Sequence, residues 1–480
     1  MRHQIFNENI SITPAESQPI FKAEPNYHLL LNRRTEATEE WKGLSAEEKA
    51  RHNNKIEKFF LFKGIIDLKD PSLIPAKNLY LMNQEVVGRL NTPNILNPLP
   101  IDSFYYEKAI LELLENMENT TQVKELYRIR KRTVKRDDKS GLNTEESLSI
   151  RNCLRQGRDL YLAGKNGSLM VKPLNFFYSL TAYAYAYAYA YAYAYAYAYA
   201  YAYAYAYAYA YAYAYAYAYA YAYAIIVLNN PLRFSLENLP GSHGLNYLPN
   251  DVKLQFGGDM PKGTLTDLIT SYPTLLAKHN HFEIIQDNQE SILELYKNKF
   301  TISAGLLLSM IPEIKDYYRL ITGNPSRTHP IEIVQSNDRL VQKWEFHIGD
   351  GYIKPSSDEV KQSFQNFTIS ERQGKYVAEV PVSEIPKIRA CLFSDVRGRL
   401  WFIENPLFPL VLPEIAVHFL LSNTFSNIMR YSPDNWGNIL LNDVDSDVSL
   451  ITRKYLSAFE NKFPILALRS ISKYYPFIEQ

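Results

Sequence analysis

Residues 182–224 are a strict alternation of alanine and tyrosine, 22 Ala and 21 Tyr, with nothing else among them. More than half of the chain's 39 tyrosines sit there. The run carries no charge, no nucleophile beyond a phenol and no cluster of metal ligands, so it is not a site of chemistry. Alternation fits a strand with every Tyr on one face. A strand of that length would span roughly 140 Å, far beyond ordinary strands. A helix would span about 65 Å, with successive tyrosines about 200° apart and so spread over the whole cylinder. Alanine is the best helix former. The segment 174–180 runs in without a breaker, and Ile225-Ile226-Val227-Leu228 runs out to Asn229-Asn230-Pro231, a stop signal. The pattern predicts one long helix.

Half the side chains of the repeat bear a hydroxyl, and tyrosine belongs at membrane interfaces rather than at their centre. No membrane span is expected, and self-association through tyrosine surfaces is. Where the codons are uniform, a dipeptide repeat is also a six-nucleotide repeat, and copying slippage changes its length in frame. Each added unit of a helix advances the following chain by about 3 Å and turns it by about 200°. Copy number would then set the orientation of everything after Leu228. The competing reading is an inert spacer.

Lys+Arg 52 against Asp+Glu 51 gives a net charge of +1, which favours neither a nucleic-acid binder nor a membrane-surface protein. Two cysteines, Cys153 and Cys391, are too few for a disulfide framework, and the first residues lack an apolar signal core. A cytoplasmic setting is expected. The organisation expected is α+β: a mixed region 1–120, a helical core 121–330 interrupted by the repeat, a β-rich antiparallel region 331–404, and C-terminal helices 405–480. Ser45 and Glu48 form a capping-box pattern. Helices are expected over 105–117, with Ile110, Leu111, Leu113 and Leu114 facing a core, over 300–319, and over 412–429. Six short strands are expected around 331–334, 344–348, 367–370, 376–380, 390–393 and 400–403.

Candidate sites are sparse. A basic run holds Arg128, Arg130, Lys131 and Arg132, and Arg151, Arg155 and Arg158 share one helical face. These could meet phosphates or nucleic acid; pairing with acidic residues is the plainer reading. His243 lies in a turn between Gly241 and Gly244 and is either an acid/base group or a histidine that holds the loop against the helices. His279, His281 and Glu283 lack further ligands, and Asp443, Asp445 and Asp447 do not complete a calcium loop. Neither metal nor cofactor is expected. Asp447 reads as a helix cap, His418 as a core histidine, and Gly257-Gly258 as a turn.

Six stretches carry a resemblance: 156–163; Lys172-Pro173-Leu174 through Leu180; 241–245 around His243; Ile311-Pro312-Glu313-Ile314; 429–436; and Asn461-Lys462-Phe463-Pro464-Ile465. In this order they resemble the bacterial YaaC-like family, whose function is largely unassigned, so the resemblance implies a fold more than an activity. The Ala-Tyr tract departs from the family pattern, lying inside the helix that follows Lys-Pro-Leu. A looser similarity is to HEPN helical domains. Their ribonuclease members have four to six residues between Arg and His; here seven residues separate Arg339 from His347 and nine separate Arg233 from His243. The expected function is an interaction or sensor protein, in the setting of anti-phage defence, tuned by repeat number, with a protein partner or a second copy. The alternatives are a HEPN-like nuclease with an atypical site at Arg158 and His243, or a self-assembling structural protein.

Overall fold

A computed structural model describes residues 5–6, 8–13, 94–95, 97–134, 142, 144–182, 243–249, 252–258, 263–271, 274–276, 282–286, 295, 297–337, 342–350, 353–441, 446–472 and 474–479. The repeat beyond Ala182, the Ser45 capping box, and His279, His281, Asp443 and Asp445 lie outside the described residues.

The first described elements are β1 (Ile10–Thr13), β2 (Asn94–Ile95), β3 (Asn97–Ile101), α1 (Tyr106–Met117), α2 (Thr120–Val134), α3 (Thr144–Asn166) and α4 (Lys172–Ala182). Beyond the repeat come β4 (Leu245–Leu248), β5 (Lys253–Gly257), α5 (Thr264–Ser271), β6 (Thr274–Leu276), β7 (Phe282–Gln286), β8 (Lys299–Ser303), α6 (Ala304–Ser309) and α7 (Lys315–Thr322). The next group is β9 (Thr328–Asn337), β10 (Gln342–Ile348), α8 (Ser357–Ser363), β11 (Thr368–Arg372), β12 (Lys375–Pro381), β13 (Cys391–Ser394) and β14 (Leu400–Ile403). The last is α9 (Glu414–Tyr431), α10 (Pro433–Leu441), α11 (Ser446–Ile471) and β15 (Tyr474–Ile478). The fold is α+β, as its sequence pattern implies.

All six expected strands of the region 331–404 are present. They form one antiparallel sheet in the order β11-β12-β10-β9-β14-β13. Phe346, Ile348, Ala378, Val380 and Phe402 pack on Val360 and Phe364 of α8 and its C-cap in a compact core of their own. A second sheet, β1-β8-β5-β4, is also antiparallel and recruits its edge strand from the N-terminus, Ile10 facing Ile302. This sheet corrects the helix expected over 300–319. Residues 300–303 are strand, α6 begins only at Ala304 with Ser303 as its cap, and the helical path breaks at Pro312. The stop at Thr322-Gly323 holds: Gly323 is left-handed at φ 73° and ends α7. Asp447 lies in the first turn of α11 rather than capping it.

The larger core gathers α1, α3, α4, the second sheet, α5 to α7, α9, α10 and α11. Leu111 and Leu113 of α1 are partly buried against it, while Ile110 and Leu114 are fully inside. Most important for the repeat, this core includes residues from both its sides: Phe176, Phe177 and Leu180 before it, and Leu254, Phe256 and Leu265 after it. The imidazole of His243 stands 5.4 Å from the Phe177 ring, edge to face. The Leu265 amide donates to the His243 carbonyl at 3.1 Å. At Gly263, φ is +140° and a Cβ would lie 2.3 Å from the Gly244 nitrogen, so only glycine lets the returning chain sit this close. Described residues on both sides of the repeat, Phe177 of α4 and His243, thus meet in one packed body.

Candidate functional site

The six sequence stretches meet in space. Ser179 Oγ of α4 donates to the Gly157 carbonyl of α3 at 2.8 Å. Lys172, opening α4, pairs with Glu460 of α11 at 2.6 Å. Phe177 carries His243. Trp436 Nε1 of α10 donates to the Met170 carbonyl at 3.0 Å, in the turn before α4. Glu313, in the short 3-10 turn after α6, pairs with Lys462 of α11 at 2.7 Å.

The hub is α11 around Pro464. Proline has no N–H, so the carbonyl four residues back loses its helical partner. That carbonyl, of Glu460, accepts the Tyr161 hydroxyl of α3 at 2.9 Å, and the neighbouring Asn461 carbonyl accepts the Tyr106 hydroxyl of α1. Burial pushes both phenols well above the ordinary tyrosine range, so they remain protonated donors. Tyr161→Phe is expected to cost about 1 kcal/mol in denaturant unfolding. The cost should shrink in a Pro464→Ala background, where the helix supplies its own donor. A double-mutant cycle on the two sites measures that coupling.

Two residues before the proline, the ammonium of Lys462 is fully buried between two carboxylates, Glu313 at 2.7 Å and Glu414 at 2.8 Å. Glu414 occupies the first turn of α9, where the helix dipole favours an anion. Its other oxygen accepts the Ser394 amide of β13 at 3.2 Å. Ser394 Oγ in turn accepts Arg469 Nη1 at 2.6 Å, and Arg469 also donates to the Pro476 carbonyl. Two cations and two carboxylates thus form one buried chain joining the six-stranded sheet to α9 and α11. Burial pushes the Glu414 carboxyl up to about 7, with Lys462 opposing and Glu313 adding to the shift. Burial works against the Lys462 charge, but Glu313 and Glu414 outweigh it and hold its affinity for the proton above normal. One turn along α9, His418 is buried with Nδ1 3.4 Å from the Tyr455 hydroxyl and its ring stacked on Tyr455. Burial, with Lys462 nearby, lowers it to about 3, so this core histidine is neutral.

The candidates from sequence lie elsewhere. Arg158 turns toward α1, where Glu115 and Glu118 hold it, Glu118 at 2.6 Å. Burial raises the Glu118 carboxyl despite that pairing. Arg155 is exposed, Arg151 donates to Asn152 at 2.9 Å, and Arg128 is paired with Glu125 at 2.6 Å on the open face of α2. Arg130, Lys131 and Arg132 belong to α2, and their side chains are outside what the structure describes. His243 packs between Phe177 and Phe419, and burial, with Arg430 adding, lowers it to about 4. Arg158 and His243 thus engage different partners on different helices. Among the described residues no group of three or more His, Cys, Asp or Glu is placed to hold a metal ion. No described helix is long and apolar enough to cross a membrane.

Lys462, Glu313, Glu414 and Arg469 were not singled out by their chemistry in the sequence. A signal was present: Glu414 is a lone charge in the apolar run Val411-Leu412-Pro413-Glu414-Ile415, Lys462 opens directly onto the apolar run Phe463 to Leu468, and a charge in such a setting requires a partner.

No curated protein and no solved structure matches the chain. The model of the family described as YaaC-like Protein matches residues 261–471. That span holds three of the six motifs; the other three are joined to it by the Lys172–Glu460, His243–Phe419 and Tyr161–Glu460 contacts. Over residues 261–471 the chain is similar to the YaaC-like family, and the order of the motifs agrees with that similarity.

Proposed function

We propose that this chain is a non-enzymatic interaction or sensor protein of bacterial anti-phage defence, with its output set by the number of Ala-Tyr units. The observation that carries the reading is the return of the chain to α4, His243 on Phe177, after the repeat. An excursion that starts and ends on one patch can change length while the core keeps its contacts. A slippage-prone repeat in such a place suits a gene under fluctuating conflict. The unit displayed is uncharged and tyrosine-rich, which suits a protein partner or a second copy. The balanced net charge and two buried cysteines fit a cytoplasmic setting. The engagement of Arg158 by Glu115 and Glu118, and of His243 by two phenylalanines, supports structural roles for both over a nuclease site.

A series with shortened, native and lengthened repeats, matched in expression and assayed for phage resistance in cells, tests this. Protection should change with length. Equal protection at every length, or protection at none, would overturn the reading.

A further inference from the structure

The strand β13 belongs to both cores at once. Cys391 and Phe393 face the larger one and Leu392 faces the sheet's own. Three described bonds tie β13 itself to its surroundings: Ser394 N–H to Glu414, Arg469 to Ser394 Oγ, and Cys391 Sγ to the Leu412 carbonyl at 3.5 Å. Away from β13 the sheet is also held by the Arg327 amide on the Ser309 carbonyl and the Ile478 amide on the Val396 carbonyl. Glu414 shares its cation, Lys462, with Glu313, so one ammonium serves two buried carboxylates. The second cation, Arg469, reaches Glu414 only through Ser394.

We propose that this seam is a proton-operated latch, closed when Glu414 is protonated and released when it ionises, so that acidification locks β13 onto the helical core. An ionised Glu414 that must share Lys462 gains more from hydration than a neutral one, and hydration requires the β13–α9 seam to part. This inference stands independently of the repeat.

The titratable and charged groups around Glu414 come from several elements. Lys462 of α11, Glu313 of the 3-10 turn and Cys391 of β13 interact with it. Arg469 reaches it through Ser394, Glu359 of α8 acts on Cys391, and His418, one turn along its own helix, acts with Lys462. Burial, with Glu414 and Glu359 adding, pushes the Cys391 thiol far up, so it stays neutral. His418 is neutral above pH 4 and does not titrate in the window that matters while the seam is closed.

The sign follows from the raised carboxyl. The closed seam binds the proton with a pKa of about 7 and the hydrated carboxyl near its ordinary value of 4.5. Closure is therefore favoured as pH falls from 7 toward 4.5, and the opening constant falls by up to about tenfold per pH unit there, levelling off above 7.

Hydrogen exchange of the β13 amides in the full chain, corrected for intrinsic rates, tests this between pH 5 and 8. The expected result is an opening constant that rises with pH to a plateau near 7. Glu414→Gln should lose the rise with pH and stay near the acid limit, and the difference between the two profiles cancels contributions from His418. Glu313→Gln should move the plateau to lower pH, because it frees Lys462 for Glu414; a purely structural Glu313 would not move it. A flat wild-type profile would overturn the proposal even if Glu414→Gln failed to fold. So would a Glu414→Gln profile with the wild-type slope.

Discussion

Lys462→Met is expected to lower unfolding stability by about 3–5 kcal/mol, because it strands two buried carboxylates without their cation. Against a total of roughly 5–15 kcal/mol for a native protein, that is a large share. The methionine fits the space of the lysine stem, so the loss is electrostatic rather than a cavity. Two further results identify the cause. The deficit should shrink at acid pH, where Glu313 and Glu414 take up protons. Adding Glu313→Gln and Glu414→Gln should recover most of it, since a neutral cluster can be as stable as an ion pair in the interior. Urea unfolding of the single and triple variants reads both. A loss below about 1 kcal/mol for Lys462→Met would mean that water reaches the site.

His418 supplies the second large effect. Its folded-state value of about 3 lies well below the ordinary histidine value of 6.5. Below pH 6.5 the unfolded chain takes a proton that the folded one refuses, so stability is lost as pH falls toward 3. At pH 4.5 the share of His418 is about 2–3 kcal/mol. Glu414 runs the other way over the same range, so the whole-protein profile mixes the two. The clean measurement is the difference between wild type and His418→Phe, whose ring can keep the stack on Tyr455. At pH 7 the variant should be the less stable, having lost the contact to the Tyr455 hydroxyl. By pH 4.5 the balance should shift in its favour by about 2–3 kcal/mol. A difference independent of pH would place water at the imidazole.

Much of the fold was legible because its signals were local. The six strands of the β-rich region are short alternating runs with turns between them, and each formed where the pattern placed it. The helix at Glu414–Tyr431 and the break at Gly323 followed from apolar length and from a glycine stop. What escaped was non-local. Phe300 to Ser303 looks helical when read with the leucines after it; it is strand because Ile10 to Thr13, nearly three hundred residues earlier, pairs with it. The ion cluster draws on positions 313, 394, 414, 462 and 469, which no spacing rule connects. The family motifs marked two of its members, Glu313 and Lys462, as a pattern without showing that they touch. The contact of His243 with Phe177 is non-local in the same way: helix geometry alone cannot reveal it.

The central claim is that the core closes through the residues that flank the repeat, Phe177 and His243 among them. Its most direct test is the thermal unfolding of a variant in which residues 183–242 are replaced by a short Gly-Ser linker, set beside the native chain. The account predicts one cooperative transition with a midpoint within about 2 °C of native, the shift of a small fraction of the total stability. A variant that unfolds far earlier, or without cooperativity, would contradict it and make the Ala-Tyr segment part of the packed body.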